Sequence, residues 1–152
     1  MSRSKKNFKF VPETTSIWNN IKISDLRNVV FDYFRNNLKG RKVVNDDLGI
    51  TVWFSMENAR KSAKGGSMYH KKAEIVKILP EIIKYALYNN FGERKDSDNP
   101  NVIGFFNFKG KCILDGETEH LRLAVQLQKT AKFYYNIEVN RIIIKSPVPK
   151  RP

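Results

Sequence analysis

The chain predicts an α+β domain whose helices pack on one face of a mostly antiparallel sheet, and three observations carry that expectation. Helical spacing of apolar residues is concentrated between Ile21 and Asn89, strand-like alternation fills residues 102–141, and short turn-forming clusters join the strands. Helices followed by antiparallel strands segregate into two layers, leaving the second sheet face open.

Residues 2–15 are polar and basic, with a proline and no sustained period, so 1–20 reads as a flexible or loosely attached basic arm. Ser24 is placed to cap a helix. Its apolar positions Leu26, Val29, Val30, Tyr33, Phe34 and Leu38 recur at three- and four-residue spacing, and Gly40 stops it. Residues 41–54 read as a hairpin: Lys42-Val43-Val44, a turn from Asn45 to Gly49, then Ile50 to Phe54, with Ile50, Val52 and Phe54 on one face. Ser55 can cap a short helix through Lys61 that Gly65-Gly66 ends. From Lys71 the positions Ile75, Val76, Leu79, Ile82, Ile83, Ala86 and Leu87 mark one helical face. Pro80 lacks the donor that an interior position needs, so a kink or two abutting helices is expected there. Residues 91–101, charged and rich in turn formers, form the clearest loop.

The remaining strands are expected over 102–108, 111–114, 118–128 and 131–141, with a turn at Asp115-Gly116. In the third, Leu121, Leu123, Val125 and Leu127 point one way, and His120, Arg122, Gln126 and Gln128 the other. In the fourth, Phe133, Tyr135, Ile137 and Val139 oppose Lys132, Tyr134, Asn136 and Glu138. The polar faces coincide only if even-numbered residues pair with even-numbered ones, as across a three-residue turn at 128–130. A two-residue turn at Lys129-Thr130 would set Gln126 opposite Phe133. The proline-dense end, 145–152, reads as an extended tail, which leaves 21–144 as a single domain.

Composition narrows the function. With 152 residues, 41% of them hydrophobic, the chain has room for one real core. A net charge of +13 points to nucleic acid, an anionic membrane or an acidic protein as partner. No apolar run approaches the roughly 18 residues of a membrane span, and Met1 to Lys6 lacks the apolar segment of a signal peptide. The single Cys112 lies in an apolar strand-like run and behaves as a small buried hydrophobe. With one Cys and two separated His there is no zinc spacing, and no Gly-rich phosphate loop appears, so no cofactor is expected.

Chemistry concentrates between Trp53 and Asn89. Arg60, Lys61, Lys64, His70, Lys71 and Lys72 gather cations around one histidine at the mouth of a helix. Lysine and arginine can hold a phosphodiester and stabilise charge on its oxygens, while an imidazole near neutrality can move protons. Arg122 and Tyr134 fall on the polar faces of two neighbouring strands, and His120 shares the face of Arg122 as a substitute acid or base.

The order of features resembles a known group. A helix, then Asn45-x-x-x-Gly49-Ile50 into Val52-Trp53-Phe54-Ser55, a Lys-containing linker, His70, Leu79-Pro80, a charged loop, a Phe-rich strand and Lys132-Phe133-Tyr134-Tyr135 span Ile23 to Arg141. This is similar to the barnase, EndoU, colicin and RelE type of ribonuclease superfamily, found in polyvalent phage proteins and contact-dependent inhibition toxins. The resemblance implies a compact α+β fold that cuts RNA without a metal. It carries the linker cation onto Lys61 or Lys64, the histidine onto His70, the sheet arginine onto Arg122 and the late tyrosine onto Tyr134.

The function expected is therefore a metal-independent endoribonuclease, a toxin domain cutting tRNA or another structured RNA to 2′,3′-cyclic phosphate and 5′-hydroxyl ends. His70, Lys61, Lys64, Arg122 and Tyr134 would be catalytic; Arg60, Lys71, Lys72, His120 and Lys132 would bind RNA. An acidic immunity or inhibitor protein is the expected partner, action is expected in the cytoplasm, and delivery within a larger secreted or injected protein. The alternative is a non-catalytic nucleic-acid-binding or phage-associated interaction domain, in which the same charge neutralises phosphates.

Overall fold

The structure, a computed structural model, describes residues 6–56, 70–93 and 100–129 and the backbone of 133–135. In chain order the elements are β1 (Glu13–Thr14), α1 (Ile23–Asn37), β2 (Lys42–Val44), β3 (Thr51–Trp53), α2 (His70–Val76), α3 (Leu79–Tyr85), β4 (Leu87–Glu93), β5 (Val102–Leu114), β6 (Glu117–Gln128) and β7 (Phe133–Tyr135). The fold is α+β, as the periodicities require. The expected helix over 57–61, the loop residues 94–99 and the tail 145–152 lie outside the described residues.

The sheet is built around β5 and β6. Asp115 (φ 52°) and Gly116 (φ 81°) take the left-handed conformations of a two-residue hairpin turn, and the ladder runs from Leu114↔Glu117 to Val102↔Gln128. β6 continues to β7, β3 and the edge strand β2, while the other side of β5 is shared by β4 along 104–109 and by β1 at 113–114. Two pairings are parallel, β1 with β5 and β3 with β7; the others are antiparallel. The β6–β7 register sets Gln126 opposite Tyr134, so even residues pair with even ones.

One face of this sheet carries the core. Phe108, Cys112, Leu121, Leu123 and Val125 join Leu26, Val30 and Phe34 of α1, Ile75 and Val76 of α2, and Ile82 and Ile83 of α3 in one buried cluster. Truncating a side chain such as Phe34 there removes contact area worth about 3–5 kcal/mol. Pro80 sits in the first turn of α3, where its missing N–H has no helical partner to lose, and the chain therefore forms two abutting helices. No helix among the described residues is long and apolar enough to cross a membrane.

Four features differ from the sequence reading. The capping role expected of Ser24 is absent: Lys22 occupies the N-cap of α1 and no side chain caps it. Residues 87–93, assigned to a helix end and a loop, form strand β4 instead. Asn89, Asn90 and Gly92 are poor strand formers, but pairing with β5 overrides that preference. The expected break between 108 and 111 does not occur, and β5 runs without interruption through Gly110, where a Cβ would press on Ile82 and Leu123.

The fourth difference is the N-terminal arm, which over residues 6–20 is a strap across the domain. Backbone N–H groups of Ile17 and Trp18 donate to the buried Glu74 carboxylate at 2.8–3.1 Å, and the Lys77 ammonium lies 2.7 Å from it. Lys77 also donates to the Thr15 carbonyl and stands 5.5 Å from the Trp18 ring. Ser16 donates from both backbone and hydroxyl to Asp115, tying the strap to the β5–β6 turn. Polar composition concealed these long-range partners.

Removing the Glu74 carboxylate leaves two N–H donors and a largely buried ammonium without their acceptor. Glu74→Ala is expected to lower the unfolding free energy by about 3 kcal/mol or more, measured by urea denaturation. A loss below about 1 kcal/mol would show that the strap contributes little.

Candidate nucleic-acid interface

The site follows from alternation along β5 and β6. On the helix-facing side stand Phe106, Phe108, Gly110 and Cys112 with Val125, Leu123, Leu121 and Glu119 as their partners. On the open side stand Asn107, Lys109, Lys111 and Ile113 opposite Ala124, Arg122, His120 and Thr118. Lys109 therefore lies directly across from Arg122, and Lys111 directly across from His120. Cβ atoms of such pairs stand about 5 Å apart, with diagonal neighbours about 7–8 Å apart.

This cluster is solvent-facing. Lys109, His120 and Arg122 are exposed and Lys111 is half-buried, its ammonium 5.7 Å from the Phe8 ring of the strap. The ion pairs among the described residues engage Lys6, Arg35, Lys71, Lys77 and Lys84, and none of the four cluster residues. The acids of β6 are directed elsewhere: Glu117 and Glu119 have the parity of the helix-facing side, and Glu119 is buried opposite Cys112. Cations and acids are sorted by the period of the strand.

At its other end the same open face becomes apolar. Val102, Phe105 and Ala124 form a small second buried cluster, and Gln126 beside them is buried and accepts from Gln128. Gly104 marks the close approach of β4, since a Cβ there would collide with the Phe91 ring and the Gly92 carbonyl.

The other proposed residues occupy different places. His70 opens α2 in the helix layer, its Nε2 2.7 Å from the Ile21 carbonyl. Lys71 pairs with Glu119 at 3.1 Å, on the helix-facing side. His70 and Arg122 are thus in different layers, with β6 between them; one site does not contain both. Lys72 corrects the expectation of an RNA contact: it is 1% exposed, because its helical face is the one that carries Ile75, Val76 and Leu79 inward. Burial pushes its ammonium down to about 8. Burial, with Glu119 adding to it, pushes the Cys112 thiol up to about 12, which keeps it protonated and unreactive.

Tyr134 pairs in register with Gln126 on one side and Trp53 on the other, four residues along the sheet from the Arg122 row. Arg60, Lys61, Lys64 and Lys132 lie outside the described residues. Lys109 and Lys111 escaped sequence reasoning. Their signal was present as alternation with Phe108, Gly110 and Cys112, and the assumed break at Lys109-Gly110 hid it.

A family model described as large polyvalent protein-associated domain 3 matches residues 21–135, more than half of the 152. The match runs from two residues before α1 to the end of β7 and so includes every described helix and all strands except β1. No curated protein and no solved structure matches the chain.

The buried Lys72 has a signed pH consequence. Its folded value of about 8 lies below the ordinary 10.5, so between those values the unfolded chain holds a proton that the folded chain has released. Stability must rise with pH across that window. The unfolding free energy measured against Lys72→Met should therefore increase from about pH 7.5 to 10.5, by on the order of 3 kcal/mol. A difference that does not change with pH would mean that Lys72 stays charged in the core.

Proposed function

The chain belongs to the large polyvalent protein-associated domain 3 family, and from that premise we propose that it serves as an RNA-binding module of a larger polyvalent protein, holding the phosphate backbone on the open sheet face. The observation that carries this reading is the cross-strand cluster of Lys109, Arg122, Lys111 and His120, rows in which the described residues include no acid on this face. Like charges directly opposite one another destabilise a sheet. A phosphate between them converts repulsion into two attractions, and the guanidinium of Arg122 can hold it bidentately. The net charge of +13 adds a long-range field that draws a polyanion in.

His120 favours a second reading, cleavage of the bound RNA. An exposed imidazole diagonal to Lys109 and two residues from Arg122 has the parts for the reaction expected of the ribonuclease superfamily that the sequence resembles. His120 would remove the proton from a ribose 2′-hydroxyl, whose oxygen attacks the adjacent phosphorus. The 5′-oxygen leaves and takes a proton from solvent water, and Lys109 and Arg122 stabilise the charged phosphoryl oxygens. The base is assigned to His120 because His70 is in a different layer and its Nε2 faces the Ile21 carbonyl. In a toxin of this kind, acting in the cytoplasm, an acidic inhibitor protein would cover the same face.

The two readings separate in one set of measurements. Lys109→Ala and Arg122→Ala should each weaken RNA affinity and flatten the slope of log K against log salt by about 0.7–0.9. Equal affinity and an unchanged slope in both variants would remove the sheet face from the function. If the RNA is also cut, His120→Ala should slow turnover of labelled RNA by about 10²- to 10⁴-fold while binding largely survives. Products should carry 2′,3′-cyclic phosphates, and no turnover by the native chain would leave binding alone.

A further inference from the structure

A cleft opens where the strap, the β2–β3 turn and the junction of α3 with β4 meet, and it adjoins the cationic rows. It encloses about 240 Å³ and is lined in part by Lys6, Lys9, Asp46, Asp47, Tyr85 and Leu87. That volume is below the roughly 300–1,000 Å³ of pockets for drug-sized ligands, so its occupant is small. Tyr85 is braced by Phe10 of the strap, with ring centroids 5.2 Å apart, and forms a wall.

The polar groups of the cleft are only partly committed. Asp47 accepts through Oδ2 from the Tyr88 N–H at 2.8 Å and from the Lys6 ammonium at 2.9 Å, and Lys84 donates to Oδ1 of Asp46 at 3.1 Å. The second oxygen of each carboxylate is without a hydrogen bond among the described residues. Burial alone would raise the Asp47 carboxyl, but the bonds from Lys6 and Tyr88 and the charge of Lys9 bring it below its usual value, so it is an anion. Lys9 is exposed and makes no ion pair among the described residues. The cleft therefore offers acceptors from two carboxylates beside a donor from one ammonium.

The register ties this cleft to the sheet cations. Leu87 stands opposite Lys109, and Lys109 opposite Arg122. At ordinary strand spacing Leu87 is about 5 Å from Lys109 and about 10 Å from Arg122, and no other residue of the row stands between them. One nucleotide covers that distance from phosphate to base. Resting on the reading of the sheet face as the phosphate site, we infer that the cleft takes one unpaired base bearing an exocyclic amino group, from a strand whose phosphate lies on Lys109 and Arg122.

An ionised carboxylate only accepts, so it selects a base that donates. Adenine, cytosine and guanine each carry an amino group with an acceptor beside it, which suits an aspartate and the Lys9 ammonium together. Uracil presents carbonyl oxygens instead and sets lone pairs against the carboxylates. The two aspartates also orient the nucleotide, because they repel its phosphate and leave it to the sheet cations. A base held inside a duplex stack cannot enter the cleft, so the strand is unpaired at that nucleotide.

Cytidine and uridine oligonucleotides of equal length carry equal charge and rings of equal size, so the difference between them reads the cleft. With oligonucleotides of about eight residues, the native chain should bind cytidine about 5- to 150-fold more tightly than uridine. Asp46→Asn combined with Asp47→Asn should bring that ratio close to one without weakening the uridine oligonucleotide, since each substitution removes a negative charge. Lys109→Ala should weaken both oligonucleotides by the same factor and leave the ratio intact. The Tyr88 amide, bonded to Asp47, should shift in NMR spectra of the native chain on adding cytidine oligonucleotide and stay in place with uridine.

Equal affinity for the two oligonucleotides would overturn the inference while leaving the sheet-face reading in place, as would a cytidine preference that survives both aspartate substitutions. No affinity for either would sink both. If the doubly substituted chain fails to fold, the Tyr88 amide decides: a resonance that cytidine leaves unmoved places the base elsewhere and overturns the assignment.

Discussion

The β5–β6 ladder is the constraint on which the rest of the molecule depends. It is set by a turn whose left-handed residues are Asp115 and Gly116, and every pairing from Leu114↔Glu117 onward inherits its parity. A slip of one residue in either strand would turn Leu121, Leu123 and Val125 to solvent and bring His120 and Arg122 against the helices. Burying those three aliphatic side chains is worth about 1.5–3 kcal/mol each, and an unpaired arginine in the core would add several more in penalty. Core and cationic face are thus two consequences of one register.

The helix layer is fixed to that ladder by a few buried polar groups. Asn45, fully buried, donates to the Ile83 and Ala86 carbonyls at the end of α3 and accepts from the Leu48 N–H, so one side chain closes a helix and shapes the β2–β3 turn. Glu74 does the same for the strap and α2. Such groups add less net stability than apolar contacts of equal size, because each loses its water, but leaving any of them unpaired costs about 1–3 kcal/mol or more. They act mainly by admitting a single arrangement of strap, turn and helix over the apolar core.

Apolar periodicity made α1, the β2–β3 hairpin, the paired helices around Pro80 and the faces of β6 legible in the sequence. Each of these buries one stripe or one face, and the buried residues announce it. What stayed hidden depends on partners distant in sequence. β4 contains Asn89, Asn90 and Gly92 and becomes a strand only because β5 offers it a ladder, while β1 forms against Ile113 and Leu114 of β5, and Glu74 and Asp115, both far along the chain, hold the residues 16–18 that follow it. The candidate site was legible in part. Arg122 and His120 were assigned to one face by alternation, but their neighbours Lys109 and Lys111 required β5 to be continuous. The grouping of His70 with Arg122 rested on shared chemistry alone, and no local pattern could reveal that a sheet strand separates their layers.

The cationic pairs show which interaction governs this face. Two unit charges about 5 Å apart in water repel by roughly 0.8 kcal/mol, and salt reduces that further. Burial of Phe108, Leu121 and Leu123 on the reverse of the same strands outweighs it several-fold, so the fold tolerates Lys109 opposite Arg122. Strand period also explains why β6 supplies no acid there: Glu117 and Glu119 have the parity of the leucines, and Glu119 is held by Lys71 on the helix side. Along the two central strands the open-face positions of rows 105–113 and 118–126 hold Phe, Asn, Lys, Ile, Thr, His, Arg, Ala and Gln, and the acid that β1 brings to this face is Glu13, opposite Ile113. An anion from outside relieves the repulsion directly, because a phosphate set between Lys109 and Arg122 gains from both cations at once.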